Sequence, residues 1–293
     1  MSSAPGFTIT GSNFGYQNHP LEACLNDMAE LGLHEIELWA IAPHLDIAAA
    51  TASQVRSLAR SLTRRGLSVR CLTPEQLAGP VNIASREDWL RTSSVALFTK
   101  AVRVAVELGC GTLFLTSGRG YEGEPEQAMW ERSAGSLHAI VSEAQSLGVS
   151  CVLEALQPVE SNIVTDSAGI ARMRELVGSN NLHTVLDTVA MTVAGETVAG
   201  FVASTGALPR HVHLVDGDPA GHLAWGDGTI DLAGIVHELA GHGYKGYASF
   251  ELFGNGRYSQ DPRRALEQCL TAFGAALAEG SGARQPANAT DRP

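Results

Sequence analysis

Short runs of β-type apolar residues alternate along the chain with longer segments whose apolar positions recur every three or four residues. Eight of the short runs read as strands: residues 7–10 (FTIT), 35–39 (EIELW), 67–73 (LSVRCLT), 112–116 (TLFLT), 150–156 (SCVLEAL), 183–187 (HTVLD), 211–215 (HVHLV) and 247–252 (YASFEL). Helix-length segments follow them at 20–31, 49–65, 86–108, 125–147, 167–177, 196–205, 232–241 and 261–279. Strand and helix in alternation is the pattern of parallel strands joined by crossover helices. In "ELGLHEIEL", "RRGLSVRCL", "ELGCGTLFL" and "SLGVSCVLE" a glycine stands between helix and strand, where a left-handed cap ends the helix. Eight such units predict an α/β fold, a (β/α)8 TIM barrel formed by a single domain over residues 1–279. A doubly wound open sheet is the alternative, but "ITGSNFGYQNHP" after the first strand is not the Gly-rich phosphate loop that fold usually carries. The small, polar stretch 280–293 is expected to be a disordered tail.

A length of 293 residues suits one barrel, and 44% hydrophobic residues are ample for its core. The net charge of −11 argues against a nucleic-acid partner, which would call for clustered Lys and Arg, and leaves a small polar molecule as the expected ligand. Five widely spaced cysteines, an odd number set mostly in apolar runs, read as reduced thiols. The first residues lack a basic region followed by an apolar stretch, and no run of about 18 apolar residues occurs. A cytoplasmic protein without a membrane partner is therefore expected.

In a TIM barrel, function sits at the carboxyl ends of the strands. The polar residues that end the apolar runs are Glu37, Glu154, Asp187, His211, His213 and Glu251. Taken singly, each can be a helix cap or a satisfied core residue, and Glu37 is left open between those roles and a functional one. Four successive strands, the fifth to the eighth, nevertheless each contribute one. Glu154 lies among Val152, Leu153, Ala155 and Leu156, and an unpaired carboxylate there would cost several kcal/mol unless it held a cation or a proton. Carboxylates plus an imidazole suit Mn2+, Mg2+ or Co2+ better than structural zinc. His211 and His213 are two apart on one strand and face the same side, so alternation leaves either as the ligand.

The order and spacing of "VLEALQPVESN", "VLDTVAM", "RHVHLVDGD" and "SFEL" resemble the xylose isomerase-like barrels and, within them, the ketose 3-epimerases, most nearly those acting on fructoselysine. "IELWAIAPH", "LTPE" and "GDGTIDL" extend the resemblance from about residue 7 to about residue 273. It implies a divalent metal, Mn2+ first and Mg2+ or Co2+ after it, held by Glu154, Asp187, His213 and Glu251. It also implies that Glu154 and Glu251 remove and return the C3 proton of a ketose through an enediolate. Glu160 matches a substrate-binding glutamate of the family. His44 and Glu75, in loops after the second and third strands, Trp39, His211 and Asp216 are the other candidate substrate contacts. Ala190 stands where epimerases of free ketoses carry a histidine, one that the fructoselysine enzymes, which this chain resembles, also lack; the resemblance thus points to a ketose with an amine or other substituent. Trp225 and Asp227 stand where many relatives carry Pro and Glu. An aldose–ketose isomerase or a polyol dehydratase would share the carbon-acid chemistry, and a non-catalytic sugar-binding protein would share only the fold. A DNA-repair endonuclease of the same superfamily would need a histidine-rich metal cluster and a basic face, and neither is apparent. A homodimer or homotetramer is implied by the relatives alone.

Overall fold

The computed structural model describes residues 6–77 and 79–282. Its strands are β1 (Thr8–Ser12), β2 (Glu35–Ala40), β3 (Ser68–Pro74), β4 (Thr112–Leu115), β5 (Ser150–Leu153), β6 (Leu182–Asp187), β7 (His211–His213) and β8 (Tyr247–Ser249). They are parallel and pair in chain order, with β8 returning to β1 through Thr8 opposite Tyr247, so the sheet closes into the expected barrel. Around it run α1 (Leu21–Glu30), α2 (Ala52–Arg64), α3 (Asp88–Glu107), α4 (Glu126–Ser146), α5 (Ser167–Val177), α6 (Thr188–Val193), α7 (Val198–Thr205), α8 (Leu232–Gly241) and α9 (Pro262–Gly282). The tail expected from residue 280 lies, from 283 onward, outside the described residues. Among the described residues no helix is long and apolar enough to cross a membrane.

The main core fills the space between sheet and helices, which is why strands covered on both faces read as nearly continuous apolar runs. A second, small cluster of Cys71, Phe114, Val152 and Val185, from β3 to β6, is separate from it. Buried polar groups on β2, β3, β7 and β8 bond to one another nearby, Glu37 to Thr73, His211, His213 and Ser249. In β7, His211 and His213 take one face while Val212 takes the other and joins the main core.

Glycines end the helices as their sequence positions predict. Gly32, Gly66, Gly109 and Gly148 follow α1, α2, α3 and α4 with φ of 74, 67, 70 and 73°, a region closed to most side chains. Four strands stop short of their apolar runs: β4 ends at Leu115, β5 at Leu153, β7 at His213 and β8 at Ser249. Glu154 and Glu251 therefore lie just beyond the ladder, although the Glu154 N–H still donates to the Leu115 carbonyl at 3.1 Å. The helix α6 was not expected, because six residues are too few to show a helical period. Asp187 starts it by accepting from the Ala190 N–H at 2.5 Å.

Candidate metal centre and its cavity

Parallel strands in register bring the ends of β5 to β8 together at one rim of the barrel. The ligand atoms of Glu154, Asp187, His213 and Glu251 lie within 4.8 Å of one another, and all four residues are buried. His213 Nδ1 is 2.6 Å from Glu154 Oε1, 3.0 Å from Glu251 Oε2 and 4.0 Å from Asp187 Oδ2. Despite this closeness, Glu154 Oε1, Asp187 Oδ2 and His213 Nδ1 are buried without an aligned hydrogen-bond partner. Each such atom costs about 1–3 kcal/mol if nothing receives it. Three donor atoms from three strands, aimed at one space and unsatisfied by protein, fit a divalent cation with oxygen and nitrogen ligands.

Glu37 explains which histidine belongs to this centre. It is fully buried and accepts from His211 Nε2 at 2.7 Å, His213 Nε2 at 3.2 Å, and the Thr73 and Ser249 hydroxyls. Nε2 of His213 is thereby committed as a donor, which fixes the tautomer that offers Nδ1 to a cation. The protonation states express the same crowding. Burial pushes the Glu154 carboxyl up to about 8, the His213 imidazole opposing and Glu251 and Asp187 reinforcing the rise. Burial alone would lower His213, but Glu251, Glu154 and Glu37 raise it well above the ordinary histidine range. Burial likewise opposes ionisation of Glu37, yet the His213 and His211 imidazoles outweigh it and hold the carboxyl well below its usual range. A proton therefore competes with a cation for this space.

A cavity of about 700 Å³ opens above Glu154, Asp187 and Glu251. Trp39, Glu75 and Glu160 line it, as does Ala190. Trp39 stacks on Phe14, with ring centroids 5.3 Å apart, and meets Phe253 edge-on at 5.3 Å, making an aromatic wall. Glu160 accepts from the Gln157 N–H at 3.0 Å, and burial raises its carboxyl. Three residues expected to touch substrate do not line the cavity. His211 sits at Glu37, on the far side of His213 from the carboxylates. His44 is held between Asn13 Nδ2 at 2.9 Å and the His19 carbonyl at 2.8 Å. Asp216 accepts four backbone N–H bonds, from Gly217, Gly226, Gly228 and Ile230 at 2.8–3.0 Å, and so shapes its own loop. A position near a strand end does not reveal where a loop side chain points. Trp225 and Asp227 are also loop structure: Trp225 Nε1 donates to the Leu214 carbonyl and the Tyr258 hydroxyl donates to Asp227.

The sequence reading missed Phe14, Phe253 and His222. His222 lies in the loop between β7 and α8 and faces the cavity, Nε2 being 3.4 Å from Glu251 Oε2 and 3.7 Å from Asp187 Oδ2. Burial would lower its pKa, but the surrounding Asp187, Glu251 and Glu160 carboxylates push it up to about 9. The available signal was a histidine between glycine-rich turns at a functional rim of the barrel.

Known proteins resemble this chain in sequence and fold. The Xylose isomerase-like TIM barrel family model matches residues 25–270. Fructoselysine 3-epimerase of Shigella flexneri is 31% identical over 271 residues, covering 90% of this chain and 96% of its own. L-ribulose 3-epimerase of Mesorhizobium japonicum is 28% identical, covering 80% of this chain and 75% of its own. In fold, the chain is similar to D-psicose 3-epimerase of Clostridium cellulolyticum H10, with a TM-score of 0.76 and 19% identity over 92% of this chain and 99% of that one. With the family model spanning most of the barrel and these relatives beside it, the chain belongs to the xylose isomerase-like TIM barrel family, among its isomerases.

Proposed function

We propose that the protein is a divalent-metal-dependent ketose 3-epimerase, with Mn2+ as its metal and a ketose bearing a C1 substituent, such as an amine, as its substrate. The observation that carries this reading is the convergence of unpartnered, buried Glu154, Asp187 and His213 atoms, with Glu251, on the floor of a cavity of about 700 Å³. The 31% identity to fructoselysine 3-epimerase supports the same chemistry. A carbon acid beside a ketone is too weak for an unaided carboxylate to deprotonate. A divalent cation held by Glu154, Asp187, His213 and Glu251 would supply Lewis acidity to the ketose oxygens, worth several kcal/mol. Inverting a centre requires a base on each face. Glu154 and Glu251 stand at the ends of β5 and β8, with Asp187 and His213 between them, and one removes the C3 proton while the other returns it. Glu75 and Glu160 accept from substrate hydroxyls, and the Phe14, Trp39 and Phe253 wall excludes water from the reacting carbon. The cavity falls in the range of about 300–1,000 Å³ that accommodates ligands larger than a small sugar, and the short side chain of Ala190 leaves room at its wall.

The test is proton NMR of Mn2+-reconstituted, then Mg2+-exchanged, protein in D2O with a panel of ketoses and fructosamines. Loss of the C3 proton signal together with growth of the 3-epimer is expected, fastest for a substituted ketose. No exchange across the panel would refute the epimerase. Glu251→Gln should lower turnover by about 10²–10⁴-fold, the usual contribution of a positioned base, with an unchanged circular dichroism spectrum. Turnover close to wild type in that variant would remove Glu251 from its role.

A further inference from the structure

His222 is a cavity-facing polar group that the reaction outlined above leaves unused. Its Nε2 meets the protein only at long range, 3.4 Å from Glu251 Oε2 and 3.7 Å from Asp187 Oδ2, looser than an ordinary hydrogen bond. A ring nitrogen that faces two carboxylates carries its hydrogen, so Nε2 is a donor. Both carboxylates are candidate ligands of the cation, so a molecule bound in the cavity that His222 lines can take up the N–H they hold only loosely.

The backbone is shaped to hold it there. Among the described residues His222 is the one non-glycine residue with positive φ, at 46°, a conformation costing roughly 1–2 kcal/mol. Its carbonyl accepts the N–H groups of Phe253 and Gly254 at 3.3 and 3.1 Å, tying the loop to the chain just beyond β8 and Glu251. The next residue, Leu223, exchanges backbone bonds with Asp216 at 3.0 and 2.7 Å, and the Asp216 carboxylate gathers the N–H groups of four further loop residues. Close approach makes glycine obligatory in this clasp, since a Cβ on Gly228 would stand 2.4 Å from Asp216 Oδ1. The Phe253 ring, edge-on with centroids 5.8 Å apart, flanks the imidazole.

We propose, resting on the epimerase reading, that His222 is a catalytic residue whose Nε2–H donates to the substrate oxygen on which negative charge develops as the C3 proton leaves. The donor is preorganised by the strained backbone and the Asp216 clasp, so it spends no reorganisation energy when the charge appears. No proton is transferred and no bond is made or broken by His222. Removing one such donor lowers kcat by about 10²–10³-fold.

The experiment compares wild type, His222→Asn and His222→Gln. Asparagine tolerates positive φ and so preserves the backbone while withdrawing the imidazole; glutamine keeps an N–H at longer reach. Mn2+ affinity is titrated by electron paramagnetic resonance of the free ion, and kcat and KM are measured at saturating Mn2+ on the ketose that exchanges fastest. Expected are Mn2+ affinities near wild type, kcat lower by about 10²-fold in His222→Asn with a smaller change in KM, and partial recovery in His222→Gln. A kcat within about threefold of wild type in both variants would overturn the proposal. So would a fall of about 10-fold or more in Mn2+ affinity, which would make His222 part of the metal site. A silent wild type would instead refute the epimerase reading, and the proposal would fall with it.

Discussion

Glu37 has two histidines as its ion-pair partners and no surface to water. Its charge is balanced by N–H and O–H donors from three other strands, and the consequence reaches the metal centre through a single ring, His213. In Glu37→Gln the side chain keeps its shape, but its NH2 would oppose the N–H and O–H donors that now converge on a carboxylate. The ring of His213 would lose its fixed tautomer. Mn2+ affinity should fall by about 10–100-fold, as it does when a partner behind a metal-binding histidine is lost; isothermal titration measures it, and an unchanged affinity would show that His213 is oriented by packing alone. This role could not be read along the chain. Glu37 is separated from His211 and His213 by 174 and 176 residues, and the two histidines share a face, so only the group that meets each nitrogen distinguishes them.

At the scale of elements, what was local was legible. The glycine stops after α1 to α4 follow from the φ that each cap requires, and the strand positions follow from the apolar runs. The loop between β7 and α8 was not, because its shape is set by one carboxylate collecting donors up to 14 residues away. Asp216→Ala leaves four N–H groups without that acceptor, some of them able to reach water. A loss of about 2–4 kcal/mol is expected, seen as a lower urea midpoint and faster amide exchange over residues 217–230. If exchange there stayed at its wild-type rate, the clasp would not be what orders the loop. The six-residue α6 escaped notice for a similar reason: Asp187, a metal-ligand candidate, is also its cap.

The whole molecule gathers three carboxylates at one buried point, in a chain already carrying a net charge of −11. Without a cation, protons must occupy that point, and burial, which favours the neutral Glu154, opposes full ionisation. Binding to the folded state alone stabilises it: Mn2+ at a hundred times its Kd adds about 2.7 kcal/mol, or on the order of 5 °C in Tm for a domain of this size. Differential scanning calorimetry with Mn2+ and then with excess chelator should show the rise and its reversal. A Tm indifferent to Mn2+ would argue that the four residues hold no metal.

By itself the sequence determined the barrel, its strand and helix positions, its glycine caps, and the acidic and histidine residues at successive strand ends. These depend on periodicity, backbone conformation and order along the chain, all of which survive without knowledge of distant contacts. Strand alternation left His211 and His213 equal and the family resemblance pointed to His213; only the tertiary structure decided that Glu37 lies behind His213, that His44 and Asp216 hold loops together, and that His222 reaches the cavity. Each of those outcomes depends on the direction of a side chain, and direction is fixed by groups that barrel closure and loop packing bring from elsewhere in the chain.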